Sequence, residues 1–496
     1  MPTPDRRRYT SRFAVAVLSA ALALASCGVD TEGGDGGSGS DVVGAGTEGP
    51  GVTTTTEPKE LLPDHEVDIT GDDGSDLNRV AANAIGDIET FWETEYPEVY
   101  GEPYEPLTGG VYGIDTDTDP LSLPCRPNTL DVVLWNAYYC GIDDAVAWDQ
   151  EFLMPTLAEQ YGDFTVAVVL AHEWGHVVQG RTLIEEPTVV TELQADCFAG
   201  AWVHHVQHEP SRFDVDTHDL DLALAGVLSL RDAPGSSADD VNAHGSGFDR
   251  VSAFQEGYEG GADACKDYTR ESLNPYQFPF QGQEDYDNQG NMPFTGSGDQ
   301  PGIDTAAFES LEQYWTIRYP ELSGGDAWEP LADPVVFTSD DPAECNGREI
   351  TEYRLFLCVP ERFVAYDVDD ARLAWELGDF AVGALFGTQY GLHVLHELDA
   401  VSDDEVTSTL RADCLTGAWA AALLPDDRGQ PQDLDDDGEP DNDLVLSPGD
   451  LDEAVQVLLS FRNDSDRERQ GPGFNRVKAF RIGVIESADA CLDLEP

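Results

Sequence analysis

Residues 168–180 have the sequence VVLAHEWGHVVQG and contain a His-Glu-x-x-His motif from His172 to His176. The apolar run around the motif, residues 163–180, contains no proline, starts with an aspartate and ends with a glycine. It predicts a buried helix of about four turns, with the aspartate as N-cap and the glycine as C-cap. The histidines are one turn apart on one helical face, so both can bind one zinc ion, with Glu173 as the general base. The alternative is a pair of core histidines with an incidental glutamate.

A third zinc ligand is expected from a second helix, which Pro187 can open. The segment ELQADCFAGAW follows and places Glu192 and Asp196 one turn apart among apolar residues. Glu192 is the predicted ligand, and Asp196 is predicted to orient a ligand histidine through a hydrogen bond. The reverse assignment, with Asp196 as the ligand, and a solvated pair of carboxylates are the alternatives.

The chain contains the same series of motifs twice, in the same order. IETFWETEYPEVYGEPYEPL, YGDFTVAVVLAHEWGH, ELQADCFAGAW and GSGFDRVSAFQEGYEGGADAC are followed by LEQYWTIRYPELSGGDAWEPL, LGDFAVGALFGTQYGL, TLRADCLTGAW and GPGFNRVKAFRIGVIESADAC. This repetition indicates a duplicated domain. The predicted organisation is a signal peptide (1–27), a flexible acidic tether rich in Gly, Ser and Thr (28–79), a first domain (80–270), a linker (271–304) and a second domain (305–496).

Eight cysteines are divided equally between the two halves. They are Cys125, Cys140, Cys197 and Cys265 in the first half, and Cys345, Cys358, Cys414 and Cys491 in the second. No C-x-x-C pair is present, and in an exported protein an even number of cysteines per domain indicates disulfides. The pairs 125–140 and 345–358 are close in sequence and are natural as local disulfides, which leaves 197–265 and 414–491 as the remaining pairs. The four cysteines of each half nevertheless allow three connectivities.

The first half resembles a known family. HEWGHVVQ, ELQADCFAGAW and HGSGFDRVSAFQEGYEGGADAC, together with NAYYCGIDDAVAWD, are similar to the bacterial neutral zinc metallopeptidases, which are gluzincin-like. The resemblance covers residues 80–270. It implies an α+β zincin-like fold with an edge strand beside the metal within residues 130–149, and peptide-bond hydrolysis. It also implies that His172, His176 and Glu192 are zinc ligands and Glu173 the base.

The second half lacks every matched ligand. When the second half is aligned with the first from Gly378, different residues occupy the positions of the ligands and the base. Thr388 stands at the position of His172, Gln389 at that of Glu173, Leu392 at that of His176 and Thr409 at that of Glu192. Asp196 is retained as Asp413, while His393, His396 and Glu397 are out of register. Because a catalytic zinc needs three protein ligands, the second half is predicted to be a degenerate, pseudo-enzyme domain.

A further candidate catalytic residue comes from comparison of the two copies. His244 becomes Gln470 in the copy without ligands, whereas Arg250 persists as Arg476. A residue needed only for chemistry can be lost with the metal, so His244 is predicted to stabilise the transition state, and Arg250 to be structural in an internal salt bridge. Tyr258 is the next candidate, and a surface-loop His244 without function is the alternative.

The N-terminus predicts export and lipidation. Four arginines precede the apolar segment 13–25, which is short for a transmembrane span, and LASC ends at Cys27. The pattern resembles a bacterial lipobox, in which Cys27 would be lipidated. The alternative is an ordinary signal peptide with a chance cysteine.

Charge limits the partners of the protein. The chain has 97 acidic and 26 basic residues and a formal net charge of −71, which disfavours nucleic acid and anionic headgroups.

Asp433, Asp435 and Asp437 alternate before Gly438 like the start of a calcium loop, but position twelve is Leu444. A calcium site and an acidic loop without metal both remain open.

The sequence therefore predicts two tandem homologous α+β domains, the first holding one zinc ion. The expected protein is a zinc metalloendopeptidase of peptide or protein substrates, anchored by lipid to the extracytoplasmic face of the bacterial cell membrane. The alternatives are a non-catalytic cell-surface binding lipoprotein and a zinc amidase that acts on cell-wall peptides. The sequence does not indicate the oligomeric state.

Overall fold

The computed structural model describes residues 59, 61–183, 186–240, 243–273, 275–298, 300–426, 429–435, 441–460 and 469–495. Its α-helices are α1 (Asp76–Tyr100), α2 (Leu153–Tyr161), α3 (Asp163–Thr182), α4 (Thr188–His208), α5 (Thr217–Ser229), α6 (Gly247–Gly260), α7 (Ala262–Cys265), α8 (Gln283–Asp287), α9 (Ile303–Leu322), α10 (Val368–Trp375), α11 (Asp379–Glu397), α12 (Glu405–Ala422), α13 (Asp450–Ser460), α14 (Gly473–Ile485) and α15 (Ala488–Cys491). Two short 3-10 helices are Pro120–Ser122 and Leu130–Val132. The predicted α+β class, mainly helical with small sheets, is confirmed.

Each repeat has a small mixed sheet. The strands are β1 (Ile69–Thr70), β2 (Gly110–Ile114), β3 (Ala137–Cys140), β4 (Ala145–Asp149), β5 (Val335–Phe337), β6 (Glu344–Cys345), β7 (Arg348–Glu349), β8 (Leu355–Cys358) and β9 (Phe363–Asp367). The first sheet has the order β1-β2-β4-β3, and the second has the order β5-β9-β8. In both sheets the last strand of the order is antiparallel to its neighbour and the other pairs are parallel. Strand β3 is therefore an edge strand, and it lies beside α3.

A close crossing of two buried helices positions the His-Glu-x-x-His motif in the first repeat. A Cβ atom on Gly175 of α3 would lie 2.7 Å from the Cα atom of Ala195 in α4, so only glycine permits this approach. In the second repeat, α11 and α12 cross in the same way, and a Cβ atom on Gly391 would lie 2.8 Å from the Cα atom of Ala412. Both repeats therefore share this packing, although the second has none of the motif histidines.

The predicted boundaries of the motif helix need one correction. Helix α3 does not end at Gly180 but continues to Thr182, and Leu183 ends it in the left-handed conformation. The reason for the glycine is packing, because a Cβ atom on Gly180 would lie 2.9 Å from the hydroxyl of Tyr139 in β3. The N-cap is Gly162 rather than the aspartate after it, whereas the prediction that Pro187 opens the next helix is confirmed.

The eight cysteines form four disulfides, each within one repeat. They are Cys125–Cys140, Cys197–Cys265, Cys345–Cys358 and Cys414–Cys491. This is the predicted connectivity in which one local disulfide forms in each half, Cys125–Cys140 in the first and Cys345–Cys358 in the second. In both repeats the long-range disulfide ties the helix with the Ala-Asp-Cys motif to the short helix at the end of the repeat.

The two repeats pack on each other through equivalent faces. The backbone N–H of Phe248 at the start of α6 donates to Asp452 of α13 at 2.7 Å. Its counterpart, the N–H of Phe474 in α14, donates to Asp221 of α5 at 2.7 Å. The segment DLDLALAG (219–226) corresponds to DLDEAVQV (450–457), so the same bond is made in both directions. Such an exchange is what a two-fold related pair of subunits shows, here within one chain.

Several predictions concern the N-terminal region. The signal peptide, Cys27 and the tether up to residue 58 lie outside the described residues. No helix within the described ranges has the length and apolar composition needed to cross a membrane.

Candidate active site

The structure brings the three predicted zinc ligands together between α3 and α4. The carboxylate of Glu192 lies 3.2 Å from Nε2 of His172 and 3.4 Å from Nε2 of His176. One ligand atom from each residue lies within 4.8 Å of the others. The two imidazole rings are nearly perpendicular, with centroids 4.8 Å apart. Both Nε2 atoms and a carboxylate oxygen thus surround one point.

A buried ion pair holds His172 in place. Asp196 accepts a hydrogen bond from Nδ1 of His172 at 2.7 Å, and Arg250 of α6 contacts both oxygens of Asp196, at 2.7 and 2.9 Å. Asp196 and Arg250 are almost inaccessible to solvent. The predicted orienting contact of Asp196 is therefore present, and the predicted internal salt bridge of Arg250 is confirmed. Arg250 also donates to the carbonyl of Leu230 at 2.6 Å.

His176 is oriented by a residue that the sequence prediction missed. Nδ1 of His176 lies 2.9 Å from Oε1 of Gln179, one turn further along α3. The Gln179 amide in turn donates to the carbonyl of Thr191 at 2.6 Å and to Gln194 at 3.1 Å. The available signal was a glutamine three residues after the second histidine in an otherwise apolar helix. Its counterpart in the second repeat is Leu395, where no histidine needs orienting.

Electrostatics at the three ligands favour a bound cation. Burial alone would lower the pKa of His172, but the charges of Asp196 and Glu192 outweigh it and raise that pKa to about 10. Burial would likewise raise the pKa of Glu192, yet His176 and His172 hold it well below its usual range. Glu192 also raises the pKa of His176, so without metal the surroundings favour protonation of both histidines. A metal ion that replaces those protons satisfies the same carboxylates, so its binding releases protons.

Glu173 is buried beside the edge strand. A backbone hydrogen bond from Tyr139 in β3 reaches its carboxylate. Burial raises the pKa of Glu173, and the two histidines oppose that shift. A carboxylate with a raised pKa is a stronger base than one in solvent, which suits the predicted role.

A cavity of about 880 Å³ opens over these residues. Its lining includes the three ligands, Glu173 and the edge-strand residues Ala137, Tyr138 and Tyr139. Two lining residues missed by the sequence prediction, Trp135 and Leu183, are apolar yet 51% and 82% exposed. Both have positive φ angles, 63° and 53°, which are uncommon for such residues. The cavity therefore combines polar groups at its base with apolar side chains at its rim.

His244 lies at the edge of the same cavity. Its side chain is half exposed, and Nδ1 lies 3.2 Å from Asp232, which also accepts the backbone N–H of His244 at 2.8 Å. The structure thus places His244 near the three ligands, but its predicted chemical role stays a prediction. Tyr258 is not among the lining residues. Its hydroxyl donates to Gln207, and its ring packs against Phe474 of the second repeat, so it is not an alternative candidate.

In the second repeat, a threonine replaces the ligand histidine at the position that corresponds to the predicted zinc site. The hydroxyl of Thr388 donates to Asp413 at 2.8 Å, where His172 contacts Asp196 in the first repeat. Arg476 binds Asp413 through the same two contacts, at 2.6 and 2.8 Å. Within the described part of the chain, no group of potential metal ligands lies at this position. The second repeat has kept the ion pair without the histidine that it orients.

The acidic loop is described only in part. Asp433, Asp435 and Asp441 bring carboxylate oxygens within 4.8 Å of one another at an exposed position. Asp441 accepts the backbone N–H groups of Leu434 and Asp435. Asp437, which belongs to the predicted calcium set, lies outside the described residues, and calcium binding by this loop stays a prediction.

The donor set fits zinc. Two imidazole nitrogens and one carboxylate oxygen are typical zinc ligands, and both Nδ1 atoms are engaged by Asp196 and Gln179, which directs both Nε2 atoms to the same point. Among the described residues, no fourth His, Cys, Asp or Glu joins His172, His176 and Glu192 in this group. Three protein ligands beside a cavity are typical of a catalytic zinc site, whereas a structural site is closed by a fourth.

Comparison with known proteins agrees with this description. Residues 77–268 match the model of the family described as "Putative neutral zinc metallopeptidase", which confirms the resemblance. An uncharacterized protein of Mycobacterium tuberculosis, Rv2575, is 27% identical over 232 residues, which cover 40% of this chain and 75% of that protein. The uncharacterized protein YpfJ of Escherichia coli is 32% identical over 151 residues, covering 26% of this chain and 52% of YpfJ. No solved structure matches the chain.

Proposed function

Because residues 77–268 match the neutral zinc metallopeptidase family, we propose that this chain is a zinc-dependent peptidase with its catalytic site in the first repeat. The observation that carries the proposal is the convergence of His172, His176 and Glu192 at the base of a cavity that also contains Glu173. A zinc ion held there supplies a Lewis acid that acidifies water and polarises a carbonyl group.

The residues of the chain supply the proton transfers. Glu173 takes a proton from the attacking water, since its buried carboxylate has a raised pKa and faces the cavity. The protonated Glu173 then gives that proton to the departing amine. Asp196 and Gln179 hold the two histidines so that neither ring turns away during the reaction.

Strand β3 provides a surface for an extended substrate. It pairs with β4 on one side only, and its residues line the cavity. A peptide can add to such an edge through main-chain hydrogen bonds, which give affinity without dependence on side chains. We therefore infer a peptide or protein substrate bound in extended form beside Glu173.

The exposed apolar rim predicts a preference for apolar substrate side chains. Trp135 stacks on Phe152 with ring centroids 5.4 Å apart, so its outer face remains open to a ligand. We expect Trp135→Ala to raise KM for a peptide with apolar residues about tenfold, equivalent to about 1.4 kcal/mol, with little change in kcat. Steady-state kinetics test this. Ile142→Ala is the matched control, because Ile142 is exposed but does not line the cavity. A similar rise in KM for both variants would refute a specific role for Trp135.

His244 is predicted to stabilise the transition state. We expect His244→Ala to lower turnover about 100-fold, the scale found when one such donor is removed, without change in zinc content or Tm. Gln470→Ala, at the equivalent position of the second repeat, should leave turnover unchanged. A loss of less than about threefold for His244→Ala would remove His244 from the mechanism.

We also propose that the protein acts outside the cytoplasm and is attached to the membrane by lipid at Cys27. The apolar segment 13–25, the sequence LASC and the four disulfides support this location, because disulfides persist in oxidising compartments. Metabolic labelling with a fatty-acid analogue tests the anchor, with Cys27→Ser as the control. Equal labelling of wild type and Cys27→Ser would exclude the proposed anchor.

The proposed activity is tested by digestion of a peptide library with the full chain. Products identified by mass spectrometry should share cleavage beside apolar residues, and the Glu173→Gln variant should give none above background. A wild-type protein that retains zinc but cleaves nothing would instead favour the binding-protein alternative.

A further inference from the structure

The second repeat contains a compact group of buried carboxylates outside the site described above. Asp379 is the first residue of α11, Asp450 is the first residue of α13, and Glu453 lies one turn later. All three residues are buried: the exposed fraction is 4% for Asp379, 5% for Asp450 and 8% for Glu453. One oxygen of each lies within 4.8 Å of the others.

Hydrogen bonds satisfy only part of this group. The bonds that hold it are from the N–H of Met292 to Asp379 at 2.7 Å, from the N–H of Ser447 to Asp450 at 2.8 Å, and from the N–H of Phe380 to Glu453 at 3.0 Å. The remaining Oδ1 atoms of Asp379 and Asp450 are fully buried, and no hydrogen-bond donor among the described residues reaches them. A buried oxygen without a partner costs free energy, so these two atoms indicate a ligand.

The surrounding charges do not neutralise the group. No described lysine, arginine or histidine forms an ion pair with the three carboxylates. Asp285 adds negative charge near Asp379 and Asp450, and Asp452 does so near Glu453. The charge of Arg231 opposes the rise in the pKa of Glu453, but Arg231 is paired with Asp452 at 3.0 Å. The N-termini of α11 and α13 contribute only partial positive charge.

The first repeat provides an internal comparison. The equivalent positions are Asp163, Asp219 and Leu222, so the group is incomplete there. Leu222 lies 3.7 Å from the Cβ position of Gly162, whereas in the second repeat Glu453 occupies the Cβ position of Gly378, with Cδ 1.8 Å away. Asp163 is exposed, and no metal-ligand group occurs at these positions among the described residues. The second repeat therefore carries a glutamate where the first has an apolar side chain.

We propose that Asp379, Asp450 and Glu453 form a calcium site in the second repeat, distinct from the acidic loop at 433–441. Three carboxylates and no nitrogen or sulfur donors are the ligand chemistry of a hard cation. Calcium is preferred over magnesium, because magnesium retains several waters in an octahedral shell and the buried position leaves little room for them. Asn291 and Met292, which bond Asp379, line a cavity of about 710 Å³ together with Gly378, the residue before Asp379.

A calcium ion at this position would tie three segments together. Helix α11 carries Asp379, helix α13 carries Asp450 and Glu453, and the segment before α9 contributes Asn291 and Met292, which bond Asp379. Helix α13 also contains Asp452, which binds the start of α6 in the first repeat. The repeat that lost zinc would thus hold a structural cation at the junction with the catalytic repeat.

The proposal predicts that the effect of calcium on stability depends on pH. Burial raises the pKa of Asp379 to about 7 and raises those of Asp450 and Glu453 well above their usual range. Because the pKa values in the folded state exceed the unfolded ones, the stability from these groups is complete below about pH 4. It is lost as the pH rises from the unfolded pKa values towards the folded ones; the folded pKa of Asp379 is about 7. Calcium should compensate for this loss, so its effect on Tm should be larger at pH 8 than at pH 5.

The test is calcium titration of the full chain by isothermal titration calorimetry. The protein is stripped with chelating resin and reloaded with one equivalent of zinc, so that calcium is the only variable. We expect a site with a Kd in the roughly micromolar range, and binding of magnesium at least tenfold weaker. Glu453→Gln should weaken calcium binding at least tenfold and abolish the rise in Tm, while in the absence of calcium its Tm should be no lower than that of wild type.

Control variants separate this group from the acidic loop. Asp433→Asn with Asp435→Asn should leave the tight calcium site unchanged. Terbium luminescence gives a second measurement, since Trp375 donates to the carbonyl of Met292 at 2.9 Å and can sensitise a bound ion. Asp450→Asn should abolish that emission. The proposal is overturned by absence of calcium binding up to millimolar concentration, by tighter magnesium binding, or by loss of binding in the loop variant but not in Glu453→Gln.

Discussion

Replacement of Glu173 by glutamine is expected to lower turnover about 1000-fold and to leave zinc content unchanged. Glutamine has the same shape but cannot accept the proton of the attacking water. Because Glu173 is not one of the three converging ligands, its loss should not release the metal. Single-turnover kinetics with a fluorogenic peptide and elemental analysis of the same sample measure both quantities.

The second repeat supplies a matched control for this substitution. Gln389 already occupies the position of Glu173, so Gln389→Glu should change neither turnover nor zinc content. Loss of zinc from Glu173→Gln would instead make Glu173 a ligand. Retained turnover in that variant would move the general base to another residue.

Replacement of Asp196 by asparagine is expected to weaken zinc binding about 10- to 100-fold and to destabilise the fold by about 3–5 kcal/mol. Two effects contribute. His172 loses the anionic acceptor that fixes its ring, and Arg250 is left as a buried charge without its partner. A competition assay with a zinc chelator gives the affinity, and urea unfolding gives the stability.

Asp413→Asn separates these two effects. Asp413 and Arg476 form the same buried ion pair, but Thr388 replaces the ligand histidine. We expect a comparable loss of stability and an unchanged affinity for zinc. If both variants weaken zinc binding equally, the effect of Asp196 is a general loss of stability and not the orientation of His172.

The sequence was sufficient for the parts of the site that depend on local spacing. One turn between His172 and His176, and one turn between Glu192 and Asp196, place the side chains on the faces where the structure has them. The comparison of the two copies also identified Arg250 as the partner in an internal salt bridge. In each case a regular helix converts a sequence interval into a direction in space.

Contacts between distant segments could not be obtained in this way. Glycine is common at helix ends, but Gly180 lies inside α3. A glycine is needed there because Tyr139 of β3 packs against this position. The hydrogen bonds exchanged between the repeats depend on where Asp221 and Asp452 lie relative to the helix of the other repeat. No local sequence pattern encodes that position. The same holds for the group of Asp379 and Glu453, whose members are 74 positions apart and meet only in the folded chain.

The central claim, a single zinc-dependent catalytic site in the first repeat, is tested most directly by titration of peptidase activity with zinc. The full chain is stripped of metal, and cleavage of a peptide found in the library digestion is measured after each addition. We predict no cleavage without zinc and a linear increase that saturates at one equivalent per chain. Cleavage by the metal-free protein, saturation only at two equivalents, or no cleavage at any zinc concentration would contradict the claim.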